Sequence, residues 1–203
     1  MKKAIKRVFI CFLLAALVWC GTLFADRQRL NEELIRLHIV ANSDSQEDQW
    51  RKLLVRDAIV DYLRQELKNV TDVEQAKRYI QEKLPRLKEI AEKTLYLAGC
   101  EEVVDISLSR EAFDRRDYDT FSLPAGVYEA LRIVIGDGEG ENWWCVVFPG
   151  LCVPATTEGF GTVAVGAGFP EPLTGALRRE EGYSIRFFFL DALGRMEICW
   201  LKP

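Results

Sequence analysis

The sequence contains a single histidine, His38, among 203 residues, and this scarcity limits the chemistry that it can perform. It has no G-x-S-x-G and no H-E-x-x-H motif, so neither of these hydrolase types is indicated. None of its six cysteines forms a C-x-x-C pair, and His38 is distant from all of them in the chain. A zinc site is therefore not expected, and we predict no metal, no cofactor and no catalytic residue.

Acidic residues are absent from the first 25 positions and abundant afterwards. Four of the 27 basic residues lie in that N-terminal stretch, which leaves 23 basic residues against 31 acidic ones and a charge of −8 for the remainder. Binding to nucleic acid needs clustered Lys and Arg that neutralise phosphates, so an acidic body excludes this class of partner. We also expect no small-molecule substrate.

The N-terminal 25 residues have the pattern of an export signal or a membrane anchor. Lys2, Lys3, Lys6 and Arg7 precede an apolar run over residues 8–24. The run is close to the lower limit of roughly 17–25 residues that a spanning helix requires, so its length does not separate a cleaved signal from a permanent anchor. Residues 26–33 are polar and predict a linker.

Four cysteines remain outside the apolar run, which is an even number and suits an exported protein with disulfides. Cys145 and Cys152 are close enough in sequence to close a local loop, which would leave Cys100 to pair with Cys199. Four buried thiols are the alternative. Asp137, Glu139 and Glu141 match no twelve-residue calcium loop, so we interpret their segment as a solvated turn.

The pattern after residue 33 predicts an α+β fold as a single domain over residues 34–203. Ile35, Leu37 and Ile39 alternate with Arg36 and His38, as in a short strand. A helix over 46–68 follows, capped by Ser43, Asp44 or Ser45, and a capping box at residues 71–74 opens a helical stretch that Pro85 either kinks or divides into 72–84 and 85–97.

The second half of the chain predicts a mainly antiparallel sheet of hairpins. One hairpin joins residues 131–135 to 143–148 around the glycine turn 136–141, and another joins 184–190 to 196–200 around residues 191–194. Residues 155–181 predict a flexible glycine-rich loop. Trp143 and Trp144 should face opposite sides of their strand, so that one ring enters the core and the other binds a partner, unless a helix covers both.

Two segments carry a resemblance to a known family. Residues 34–49 read LIRLHIVANSDSQEDQ, and residues 124–152 read PAGVYEALRIVIGDGEGENWWCVVFPGLC. Together they resemble stage II sporulation protein R of endospore-forming bacteria, although Gly150 stands where that family is expected to have proline. The order of apolar N-terminus, first segment, helices and second segment also agrees.

The resemblance implies an exported signalling protein in the space between the forespore and mother-cell membranes. There it would activate a membrane-embedded aspartic protease of the mother cell, which processes a sigma factor precursor, by binding and not by catalysis. The alternatives are an exported hydrolase of unrecognised type and a structural module of the envelope. The residues expected to contact the protease are Arg36, His38, Asn42, Asp44, Asp48, Trp143 and Trp144; capping and strand pairing are the alternative roles of the first five.

Overall fold

The structure is a computed structural model that describes residues 2–118, 121–149, 169–178 and 184–201. Its elements are, in chain order, α1 (Lys2–Glu33), β1 (Ile35–Val40), α2 (Gln46–Glu66), α3 (Val73–Leu97), β2 (Val104–Phe113), β3 (Arg116–Asp117), β4 (Ser122–Leu123), β5 (Gly126–Ile135), β6 (Asn142–Phe148), α4 (Glu171–Leu177) and α5 (Ile185–Leu201). The predicted α+β class is confirmed, as is the apolar helix at the N-terminus.

Four strands form the main sheet in the order β2-β5-β1-β6, and β3 pairs separately with β4. β1 runs parallel to β5 and antiparallel to β6, while β2 and β5 are antiparallel. The sheet is therefore mixed but mainly antiparallel, and β1 is a central strand. All six residues of β1 are buried.

Helices cover both faces of the sheet, which explains why β1 is buried on each side. Val55 and Ile59 of α2 and Leu87 of α3 pack with Leu37 and other residues of one face. On the opposite face, a second cluster joins residues of α1, α4 and α5 to the sheet: Leu23, Leu30, Leu173, Phe187, Leu190, Tyr128 and Ala130. Successive side chains of a strand point to opposite faces of the sheet, so two separate apolar clusters form.

The two predicted hairpins are wrong. β5 and β6 are not neighbours, because β1 lies between them and pairs with both. The segments 184–190 and 196–200 belong to one helix, α5, and not to two strands. Sequence proximity favoured local pairing in both cases. β5 and β6 instead both pair with β1, which lies far earlier in the chain, and α5 forms no strand pair.

The predicted linker over residues 26–33 is instead the C-terminal part of α1. Asp26 and Arg27 are buried there, and ion pairs with two residues of α5, Arg186 and Glu197 respectively, offset the cost of burying their charges. Within the predicted loop 155–181, residues 171–177 are helical; residues 155–168 and 179–181 lie outside the described residues. The single domain over 34–203 stays a prediction.

The helices after β1 begin and end close to the predicted positions. Ser45 caps α2 by accepting a hydrogen bond from the Asp48 backbone N–H at 3.1 Å. α3 is one helix with Pro85 inside it, so the alternative of two helices is wrong. Its cap is Asp72, which accepts from the Glu74 N–H at 3.1 Å, one residue later than the capping box predicted.

Candidate functional site

The fold brings the two sequence segments that carry the family resemblance into direct contact. The first segment contributes β1, and the second contributes β5 and β6, which flank it. In this register Leu37 lies opposite Leu131 on one side and Cys145 on the other. The expected partner-binding residues therefore lie on two adjacent strands, β1 and β6, and on the segment that leads from β1 into α2.

Arg36 is fully buried on the sheet face that α1, α4 and α5 cover. Its guanidinium carbon lies 3.9 Å from the ring centroid of Phe113 and 5.2 Å from that of Tyr128. Its Nη2 donates a hydrogen bond to the Tyr118 hydroxyl at 3.3 Å, while Nε and Nη1 have no hydrogen-bond partner among the described residues. A buried cation with two unpaired nitrogens is costly, and aromatic rings offset only part of that cost.

Burial also affects Tyr128 beneath this guanidinium. Desolvation raises the pKa of the Tyr128 phenol to about 12, with Arg36 acting in the opposite direction. The phenol donates a hydrogen bond to the Pro124 carbonyl oxygen at 2.8 Å. At physiological pH, Arg36 therefore packs against the ring of a neutral Tyr128.

His38 lies two residues along the same strand face and is held on both ring nitrogens. Nδ1 is 2.9 Å from a Glu111 carboxylate oxygen, and Nε2 is 2.6 Å from the Asn142 side-chain oxygen. The imidazole stacks on Trp144 with ring centroids 3.8 Å apart. Arg132 completes the group because its Nε lies 3.4 Å from the second oxygen of Glu111.

At the end of β1, Asn42, Ser43, Asp44 and Asp48 form a set of contacts that we call the β1–α2 clip. Asn42 Nδ2 and Ser43 Oγ both donate to Asp48 Oδ2, at 3.0 and 2.6 Å. The hydrogen bonds from Ser43 and Asn42 lower the pKa of the Asp48 carboxyl group. Asp48 is therefore ionised across the physiological range and stabilises the start of α2.

The clip also binds the glycine turn between β5 and β6. Asn42 Oδ1 accepts a hydrogen bond from the Asp137 N–H at 3.0 Å, and Asp44 Oδ1 accepts from the Glu141 N–H at 2.6 Å. Lys52 of α2 donates to the Glu141 carbonyl oxygen at 2.8 Å, and burial lowers the pKa of its amine. The turn thus crosses over the end of β1 and is fixed there from two sides.

Glycine is required in this turn for two different reasons. Gly136 and Gly138 have φ values of +57° and +66°, a region that side chains disfavour. Gly140 has no such φ, but a Cβ atom there would lie 2.3 Å from the Ser43 carbonyl oxygen. The Gly140 N–H donates to the Ala41 carbonyl oxygen at 3.0 Å. Glycine is therefore required by backbone conformation at positions 136 and 138 and by close contact with the clip at position 140.

Trp143 and Trp144 face opposite sides of β6, as the alternation predicts. Neither ring is fully exposed or fully buried: Trp143 lies under the Arg56 guanidinium at 4.4 Å, and Trp144 lies between His38 and Arg116. The indole N–H of each ring has no hydrogen-bond partner among the described residues. The prediction of one core ring and one outward ring is therefore replaced by two half-buried rings.

Four residues of this site were missed by sequence reasoning: Glu111, Phe113, Tyr118 and Asn142. Glu111 and Phe113 belong to β2, which does not touch β1, and reach His38 and Arg36 across β5. The alternation of residues along β2 predicts which of its side chains share a face. It does not predict the strand order that brings them close to His38.

The predicted pairing of Cys100 with Cys199 is wrong, because both are free thiols. Cys100 packs with the α2 and α3 layer, whereas Cys199 belongs to α5 on the opposite side of the sheet. Cys145 is not one of the free cysteines, and Cys152 lies outside the described residues, so their pairing stays a prediction. No cluster of three or more His, Cys, Asp or Glu suited to a metal occurs in the described part of the chain.

The fold and the site together define an α+β protein that has an N-terminal apolar helix. Polar contacts hold together β1 and its two neighbouring strands, β5 and β6. The chain belongs to the stage II sporulation protein R family, whose model matches residues 31–158. It is 41% identical over 121 residues to the Stage II sporulation protein R of Bacillus subtilis (strain 168). That match covers 60% of this chain and 54% of the relative, so it spans about half of the relative's length. No solved structure matches the chain.

Proposed function

We propose that this protein is an exported signal of endospore formation. It acts in the space between the forespore and mother-cell membranes, where it activates a membrane-embedded aspartic protease of the mother cell and so triggers processing of a sigma factor precursor. Family membership supports the link to sporulation. The N-terminal helix supports membrane targeting, because it is long and apolar enough to cross a membrane by length and composition.

The observation that carries a binding mechanism is the convergence of both family segments at one end of the sheet. The β1–α2 clip joins them through the hydrogen bonds of Asn42 and Asp44 to the glycine turn. Asp137 and Glu139 in this turn are exposed, and the clip fixes their backbone without using their side chains. This end therefore offers a rigid acidic surface, which we propose as the contact with the extracytoplasmic part of the protease.

The polar residues of the clip and His38 have a positioning role in this proposal. Asn42, Asp44, Asp48 and His38 are engaged in contacts within the chain, which hold the turn and the start of β6. A pre-organised surface loses little conformational entropy on binding. Activation then requires only that the surface bind the active state of the protease more tightly than the inactive state.

Co-expression of this chain with the protease and its precursor substrate tests the proposal. We expect precursor cleavage to increase when the full chain is present and to stay at background when it is absent. No increase with a chain that is exported and intact would refute the activator function.

A charge-reversed pair of variants tests the contact surface in the same assay. Asp137→Lys should reduce cleavage because it places a cation on the acidic end, where Asp137 is exposed. Glu82→Lys makes the same change of charge at an exposed position of α3 and should leave cleavage unchanged. Equal cleavage by both variants would place the contact elsewhere on the molecule.

A further inference from the structure

α5 has an apolar face that the described part of the chain leaves largely exposed. The exposed fractions are 73% for Ile185, 65% for Phe188, 40% for Phe189, 59% for Met196 and 88% for Trp200. These positions follow one another at steps of three, one, seven and four residues, which places them on one side of a helix. We call these five residues the α5 apolar face.

The opposite side of α5 is already occupied by the core. Phe187, Leu190 and Ile198 are buried against the sheet layer. A helix that is apolar on both sides belongs either in a protein interior or at a lipid boundary. Because one side packs on the sheet and the other is open, the exposed side needs a second apolar partner.

The position of α5 beside α1 indicates that this second apolar partner is a membrane. Trp19 of α1 contacts Phe189 edge to face, with ring centroids 5.0 Å apart. Asp26 and Arg27 of α1 form ion pairs with Arg186 and Glu197 of α5, so the two helices are fixed together. α1 is also the one helix of the described residues that is long and apolar enough to cross a membrane.

The contact between the Trp19 and Phe189 rings shows where α5 lies along the apolar run of α1. Trp19 precedes the end of the apolar run at Phe24 by five residues, or about 7.5 Å along a helix that rises 1.5 Å per residue. Phe189 therefore lies beside the apolar run and not beyond it. Helices that lie in a membrane interface bury their apolar face by about 5–10 Å, the same depth range.

We propose that α1 and α5 form one membrane-seated unit, in which the α5 apolar face inserts into the lipid interface of the bilayer that α1 enters. The aromatic residues suit this position because their rings favour the boundary between acyl chains and headgroups. The folded body would then lie directly on the membrane surface, with no flexible segment between anchor and sheet. This proposal does not depend on activation of a protease.

Site-specific photocrosslinking of the full chain tests the proposal. The chain is inserted into vesicles of phosphatidylcholine and phosphatidylglycerol with a benzophenone amino acid at Phe188, or at Ile185 one turn earlier. The control carries the same group at Tyr96 of α3, which is 68% exposed on the opposite side of the sheet. Since all three side chains are exposed, the substitutions leave the core intact.

We expect about tenfold more lipid adduct from positions 188 and 185 than from position 96, because only the α5 face would contact acyl chains. Lipid adducts at the level of the Tyr96 control would overturn the proposal. Crosslinks from position 188 to a second copy of the chain, in place of lipid, would also overturn it and assign the face to self-association.

Discussion

At the residue scale, the buried guanidinium of Arg36 leads to the first prediction. We expect Arg36→Met to keep the free energy of unfolding at or above that of the unchanged protein. Methionine fills a similar volume between Phe113 and Tyr128 without the unpaired Nε and Nη1 atoms. The two unpaired donors together cost about 2–6 kcal/mol, which is at least as large as the roughly 2 kcal/mol that a buried cation–π contact supplies.

Urea denaturation measures this effect, and Arg36→Ala is the control. Alanine removes the same charge but leaves a cavity, so its free energy of unfolding should fall by about 2–4 kcal/mol. Equal losses from both variants would show that the charge of Arg36, and not its volume, stabilises the fold.

The second residue-scale prediction concerns Asp48 and pH. Hydrogen bonds from Ser43 and Asn42 lower the pKa of this carboxyl group in the folded protein. Its stabilising contribution is therefore present above the unfolded pKa of about 3.9 and is lost as the pH falls through the lower folded value. Asp48→Asn should reduce the unfolding free energy at pH 6, and the difference from the unchanged protein should shrink towards pH 2. A difference that stays constant over this range would contradict the role of the ionised carboxylate.

Single residues were predicted with uneven success, and the reason is physical. The cap at Ser45 and the alternation of Arg36 with Leu37 follow from local backbone rules, and both are present. The burial of Arg36 and His38 was not predictable, because it depends on helices from distant parts of the chain that cover the second face of the sheet. Whether these residues contact a partner stays a prediction.

At the element scale, the glycine turn gives a prediction about close packing. Gly140→Ala should lower the free energy of unfolding by about 1–3 kcal/mol, because the new Cβ would meet the Ser43 carbonyl oxygen at 2.3 Å. Gly175→Ala is the matched control: its Cβ would have only an ordinary contact at 3.7 Å with Glu171. Thermal unfolding of both variants checks the expectation, and an unchanged Gly140→Ala would show that the turn is not held against the clip.

Two elements differ from their sequence-based prediction for the same reason. The glycines between β5 and β6 suggested a hairpin, but they allow the turn to cross β1 and contact the clip. Gly194 in α5 suggested a turn between strands, but a Cβ there would lie 1.7 Å from the Ala125 carbonyl oxygen. In both places glycine serves a close approach of distant backbone, which sequence spacing does not reveal.

At the scale of the whole molecule, the ion pair of Asp26 with Arg186 joins α1 to α5. Their side chains are 8% and 22% exposed, so solvent screens this pair less than a surface pair. A double-mutant cycle with Asp26→Asn and Arg186→Gln should give a coupling energy of about 1–3 kcal/mol in unfolding.

The exposed pair of Arg86 with Glu89 in α3 is the control for this cycle. Arg86→Gln and Glu89→Gln should couple by no more than about 0.5 kcal/mol, because solvent screens both groups. A coupling of the same small size for Asp26 and Arg186 would show that α1 and α5 are not held together by this pair.

The central claim is that the protein activates a protease by binding and not by catalysis. The most direct test is a titration of the full chain against a fixed amount of protease in vesicles, with the initial rate of precursor cleavage as the readout. Binding predicts that activation rises in proportion to the occupied protease, saturates, and holds at a partial level when the chain is substoichiometric. If a trace of the chain instead brings all of the protease to full activity with time, an enzymatic mechanism is responsible and the account is wrong.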